Sequence, residues 1–131
     1  MAFILKNAAK VDDILSMPAF SDFDSDIIMP VLDEAAKLAS NVWGELNVTG
    51  DRQGATIADK KVTTTPGFKD AYMQYVNGGW NALPHNPEYG GQGLPWVLSM
   101  ATNEMWQGAN LSLGLCPVSY THLTLPTICS V

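Results

Sequence analysis

The chain has 131 residues, of which 20 are charged, 7 basic and 13 acidic, so the charged fraction is 15% and the formal net charge is -6. Soluble domains usually carry roughly 25% charged residues. A hydrophobic content of 47% excludes a disordered polymer, and the scattered cations, with only Lys60 and Lys61 adjacent, exclude nucleic acid as a partner.

A membrane span needs about 20 mostly apolar residues, and the apolar runs near 1–5 and 109–118 fall short, so no span is expected. The opening MAFILK has no basic residue ahead of its apolar run and does not read as a secretory signal. Cys116 and Cys129 are too few for a disulfide framework or a zinc site. A cytoplasmic location is therefore expected.

After the turn-rich SDFDSD, the residues Ile28, Val31, Leu32, Ala35, Leu38, Ala39, Val42, Trp43 and Leu46 recur at spacings of three and four, with Asp33, Lys37, Asn41 and Glu45 opposite. This predicts one long amphipathic helix, capped by Asp24 or Ser25, with Pro30 early enough to be tolerated. The helical pattern stops at Asn47, and ATIADKKVTT predicts a small hairpin or ordered loop around 55–64, turning at Asp59-Lys60.

Thr65-Pro66 predicts a cap followed by proline at the first helical position of a second helix. Its apolar face is Phe68, Ala71, Tyr72, Tyr75 and Val76, and Gly78-Gly79 stops it. Pro84, Pro87, Gly90, Gly91 and Gly93 break the next stretch into an irregular loop. Pro95 then opens a helix with Leu98, Ala101, Thr102, Met105 and Ala109 on one face. Through Pro117 the fold class is mainly α.

Val118 changes the character of the chain. VSYTHLTLPTICSV has no charged residue and is rich in β-branched ones, which ordinarily predicts a terminal strand. Reverse translation gives a different reading: VSYTHLTLPT is encoded by GTCTCTTATACACATCTGACGCTGCCGACG, which is similar to the mosaic-end adapter of transposase-based sequencing libraries. Residues 118–131 are therefore expected to be a non-native tail, which removes Ser119, Thr121, His122 and Cys129 as chemical candidates and makes the natural protein continue past Pro117. Over 117 residues the 20 charges make about 17%, nearer the usual range.

The stretch Gly67–Pro117 carries Gly79-Trp80, then PEYGGQGL at Pro87–Leu94, then Asn103-Glu104-Met105 and a small-residue run after Gly108. In that order it resembles the N-terminal helical domain of acyl-CoA dehydrogenases. MAFIL, LSMPAFSD and GDRQGATIADKKVTTTPGF are similar to the branch with an N-terminal extension, which includes the methylthiopropionyl-CoA dehydrogenases, although Ala2 stands where a basic residue is common. The resemblance implies an N-terminal extension at 1–24 and an incomplete helical domain at 25–117 of a much longer chain.

It further implies an oxidoreductase that desaturates an acyl-CoA between its α and β carbons, a glutamate taking the α proton while hydride passes to flavin adenine dinucleotide (FAD). Donors must polarise the thioester carbonyl and water must be excluded. The family places the glutamate and the flavin-binding strands after this region, so no catalytic residue is expected here. Leu113, Gly114 and Pro117 are implied to line the acyl pocket. An electron acceptor and a homo-oligomer are implied for the complete protein. The alternative is a self-contained helical interaction module without catalysis, docking through its tryptophans.

Other features have plainer explanations. GGQGLP lacks the GxGxxG spacing and the lysine of a phosphate loop, so Gly90, Gly91 and Gly93 predict a tight loop whose backbone passes close to neighbouring helices or to the flavin side of the cleft. Asp22, Asp24 and Asp26 imitate a calcium loop, but Ile27 holds the glycine position and Asp33 that of the bidentate glutamate. No metal site is expected. His85 reads as structural or exposed, Trp43, Trp80, Trp96 and Trp106 as packing residues, and Cys116 as a buried thiol. The triplets at Asn47 and Asn110 match the glycosylation pattern without a secretory signal to give it meaning.

Overall fold

The computed structural model describes residues 1–119 and is mainly helical. Seven α-helices follow in order: α1 Ala2–Asn7, α2 Val11–Leu15, α3 Ile28–Leu38, α4 Asn47–Gln53, α5 Phe68–Asn77, α6 Trp96–Ala109 and α7 Leu111–Ser119. The strands β1 Thr56–Ala58 and β2 Lys61–Thr63 form one small antiparallel hairpin. None of the described helices is long and apolar enough to cross a membrane.

The apolar stripe after SDFDSD folds as expected. Ile28, Leu32, Ala35, Ala39 and Trp43 are buried, whereas Asp33, Lys37, Asn41 and Glu45 are exposed. The Asp24 carboxylate accepts the Asp26 backbone N–H at 2.9 Å and starts a 3-10 turn that leads into α3. The path is not one regular helix, however. A π turn at Ala39–Trp43 and a 3-10 turn at Gly44–Leu46 connect α3 to α4, so helical backbone continues to Gln53 where the sequence predicts its end at Asn47. Packing explains the extension: the Phe68 ring lies where a Cβ on Gly50 would be, 2.8 Å from its Cζ, so a poor helix former is held by a tertiary contact.

The hairpin pairs Thr56 with Thr63, Ile57 with Val62 and Ala58 with Lys61. Asp59 and Lys60 both have positive φ, 51° and 62°, the signature of the two-residue turn whose twist matches a hairpin. The second helix starts later than predicted. Thr65 to Phe68 form a β-turn closed by Phe68 N–H on the Thr65 carbonyl at 3.1 Å, with Pro66 second and Gly67 third at φ 86°. Proline before a residue with positive φ is the type II turn, so Pro66 belongs to the turn and α5 begins at Phe68.

Two buried clusters share α3 and α6. The first joins Leu5, Val11 and Leu15 from the short N-terminal helices to Ile28, Leu32, Leu83, Leu94, Leu98 and Ala101. Residues 1–24 thus contribute apolar side chains to the core. The second joins Ala35, Ala39 and Trp43 to Ala71, Tyr75, Trp106 and Leu113. Fully burying one such large side chain contributes about 1.5–3 kcal/mol, so both clusters matter to a chain of this size.

Candidate functional site

The second cluster is aromatic. Trp43 lies 5.4 Å, ring to ring, from both Tyr75 and Trp106, Tyr75 meets Trp106 edge-on, and Trp80 meets Trp106 at 5.1 Å. Tilted and edge contacts at these distances suit the ring quadrupoles. Burial pushes the Tyr75 hydroxyl up to about 12, with the neighbouring Tyr72 phenolate adding in the same direction. The Trp43 indole N–H is buried with no hydrogen-bond acceptor among the described residues. Trp96 does not join this group. It is 61% exposed and packs edge-on against the exposed His85, because it occupies the first, outward position of α6.

An open groove of about 560 Å³ lies over the cluster, between the α3–π segment and α5. Leu38, Val42 and Trp80 supply apolar surface, and Glu34, Lys37, Asn41, Gln74 and Asn77 supply polar groups. Lys37 and Glu34 pair at 2.5 Å, and that hydrogen bond is the main reason the Lys37 pKa is raised. A smaller concavity of about 240 Å³ is bordered by Asp12, Leu15, Ser16, Phe23, Asp24 and Ser25. A flavin diphosphate calls for cations or aimed N–H groups. The groove's one cation is paired with Glu34 and the other concavity is acidic, so these residues do not fit such a group.

The acyl-pocket residues implied by the resemblance all lie on α7, and none borders either concavity. Leu113 is 3% exposed within the aromatic cluster, and Gly114 is buried where a Cβ would meet Gln107 Cγ at 3.2 Å and the Trp43 ring at 3.7 Å. Pro117 is half-buried inside the same helix. Cys116 is exposed, not buried as predicted, because the packing against Trp43 and Gln107 reaches only as far as Gly114.

The glycine-rich loop is ordered by its own backbone. Gln92 N–H bonds to the Ala82 carbonyl, Gly93 N–H to His85, Leu94 N–H to Leu83, and Gly91 N–H to Asn86. The Gln92 side chain reaches the Gly79 carbonyl at 3.0 Å. The close approach expected of Gly91 is therefore to His85 within the same loop, not to a neighbouring helix. Among the described residues no group of His, Cys, Asp or Glu could hold a metal ion. The proposed tail, with Thr121, His122 and Cys129, lies outside the described residues apart from its first positions on α7.

Asn110 is the residue that sequence reasoning missed. It is 1% exposed, caps α7 through its Oδ1 and donates from Nδ2 to the Trp43 carbonyl at 3.1 Å. That burial also leaves its glycosylation triplet without a role. The available signal was a polar residue directly after the helical pattern that ends at Ala109, a usual place for a cap.

No family model matches the chain. It is 31% identical over 116 residues to a 3-methylmercaptopropionyl-CoA dehydrogenase of Ruegeria pomeroyi, an alignment covering 88% of this chain and 20% of the relative. It is 30% identical over 110 residues to the broad-specificity linear acyl-CoA dehydrogenase FadE5 of Mycobacterium tuberculosis, covering 82% of this chain and 18% of the relative. The chain thus spans about a fifth of the length of these curated relatives.

Proposed function

We propose that this chain, which is similar over most of its length to two acyl-CoA dehydrogenases, is the N-terminal helical segment of a flavin-dependent enzyme that desaturates an acyl-CoA thioester between the α and β carbons. The observation that carries this reading is the likeness of more than four-fifths of the chain to two dehydrogenases of which it matches a fifth or less. The base, the flavin site and the electron-acceptor surface belong to the remainder of that enzyme, which is a cytoplasmic homo-oligomer. FAD supplies the hydride acceptor there. This segment supplies no catalytic group and is inactive by itself. Its work is to wall the acyl pocket through α7, with Pro117 presenting surface and Leu113 and Gly114 seating the helix. Residues 118–131 are adapter-derived.

Exposed apolar side chains support a segment that meets further protein. Phe3 is 78% exposed and Met100 62%, and Leu111 and Leu115 form an exposed pair one turn apart on α7. The test is to express the full-length reading frame and add acyl-CoA thioesters with an artificial electron acceptor. Bleaching of a bound flavin and appearance of the enoyl product are expected. A purified full-length protein that binds no flavin and oxidises no thioester would overturn the reading.

A further inference from the structure

Asn110 makes more bonds than a helix cap requires. Its backbone N–H closes α6 on the Trp106 carbonyl at 2.9 Å, and its Oδ1 accepts from Leu113 N–H at 3.1 Å and from the Ser112 hydroxyl at 2.8 Å to start α7. Those bonds satisfy the two helix ends that meet at this residue. A further partner, the Trp43 carbonyl, is 67 positions away in sequence.

Trp43 closes the π turn, and its carbonyl lies where the backbone ladder changes register. The Gly44 N–H reaches back to Ala39, and the Asn47 N–H reaches back only to Gly44. Single π turns are uncommon and recur at functional sites. Here the turn puts Asn41 and Val42 on the groove and the Trp43 ring under α7.

We propose that Asn110 is a positioning residue that fixes α7 against the π turn and thereby sets which acyl chains the enzyme accepts, an inference that rests on the dehydrogenase reading above. Gly114 makes the separation between α7 and its bed a sensitive quantity. It brings the helix so close that one added carbon would press on Gln107 and approach the Trp43 ring. Asn110 holds that distance from one end of the helix and Gly114 permits it from the next turn. Losing the first or filling the second moves the same wall.

The experiment uses the full-length enzyme and three variants. Asn110→Ser keeps an acceptor for the Leu113 N–H but is too short to reach Trp43; Asn110→Ala removes all three side-chain bonds; Gly114→Ala displaces α7 and leaves the Asn110 side chain in place. With a series of acyl-CoA chain lengths, Asn110→Ser and Gly114→Ala are expected to change the long-to-short ratio of kcat/KM by about fivefold or more in the same direction, chiefly through KM. Equal losses at every chain length, or an unchanged ratio, would overturn the inference. A wild-type enzyme that oxidises no acyl-CoA overturns the dehydrogenase reading and the selectivity role with it. Hydrogen exchange at the Leu113 and Gly114 amides tests the clamp separately: protection as strong in Asn110→Ser as in the wild type would contradict it whatever the activity.

Discussion

Gly91 and His85 approach backbone to backbone so closely that a Cβ built on Gly91 would overlap the His85 carbonyl group. The loop achieves this by folding Gly91 N–H onto the Asn86 carbonyl and Gly93 N–H onto His85 itself. Three glycines then separate cleanly by mechanism. Gly91→Ala must force the loop apart and is expected to cost about 3 kcal/mol or more. Gly90 has φ 83° and open space around it, so alanine there costs only the left-handed backbone penalty, about 1–2 kcal/mol. Gly108, inside α6 with nothing near its Cβ position, is expected to gain about 0.5–1 kcal/mol as alanine. Urea midpoints at constant slope measure all three.

The tryptophans divide in the same way. Trp43 is fully buried, and Trp43→Ala is expected to cost about 3–5 kcal/mol through the cavity it leaves. Trp96, on the surface against His85, is expected to change stability by less than about 1 kcal/mol as alanine. Fluorescence discriminates further: loss of Trp43 removes a solvent-shielded component, whereas loss of Trp96 removes a quencher-accessible one.

Tyr75 gives the chain a pH dependence at the alkaline end. Its folded pKa is raised to about 12, so the contribution is fully present below the ordinary phenol value near 10. As pH rises above 10 the unfolded chain releases this proton while the folded chain keeps it, and stability falls until about pH 12. The decline attributable to Tyr75 should be absent in Tyr75→Phe. Denaturant titrations of the two proteins at pH 9 and pH 11 give the comparison, and parallel declines would show that other groups cause it.

Lys37 and Glu34 pair in the open, with about two-thirds of each side chain exposed. Such a pair adds little to stability, because water and salt screen it. Lys37→Ala is expected to lower the urea midpoint only slightly, and the difference from wild type should shrink at high ionic strength.

Much of the fold was legible because side-chain spacing and turn chemistry act locally. The buried stripe from Ile28 to Trp43, the Asp24 cap, the turn at Asp59-Lys60 and the opening of α6 after Pro95 each rest on neighbours in sequence. What escaped depends on distant partners. Helix α4 is held by Phe68, whose ring takes the space beside Gly50. The π turn is invisible to a three-and-four spacing that it alters by less than one residue. α1 and α2, six and five residues long, are too short to display a period, yet they bury Leu5, Val11 and Leu15. The candidate site was the least legible part. Asn110 matters through Trp43, 67 positions earlier, and no local pattern records that distance.

The proposed identity as one segment of a longer flavoenzyme is tested most directly by sequencing the source DNA past codon 117. The account predicts an open reading frame that leaves VSYTHLTLPTICSV behind at Val118 and continues for several times the present length, encoding a flavin-binding β domain and then a helical bundle with a glutamate base. A genomic sequence that encodes residues 118–131 and stops after Val131 would contradict it.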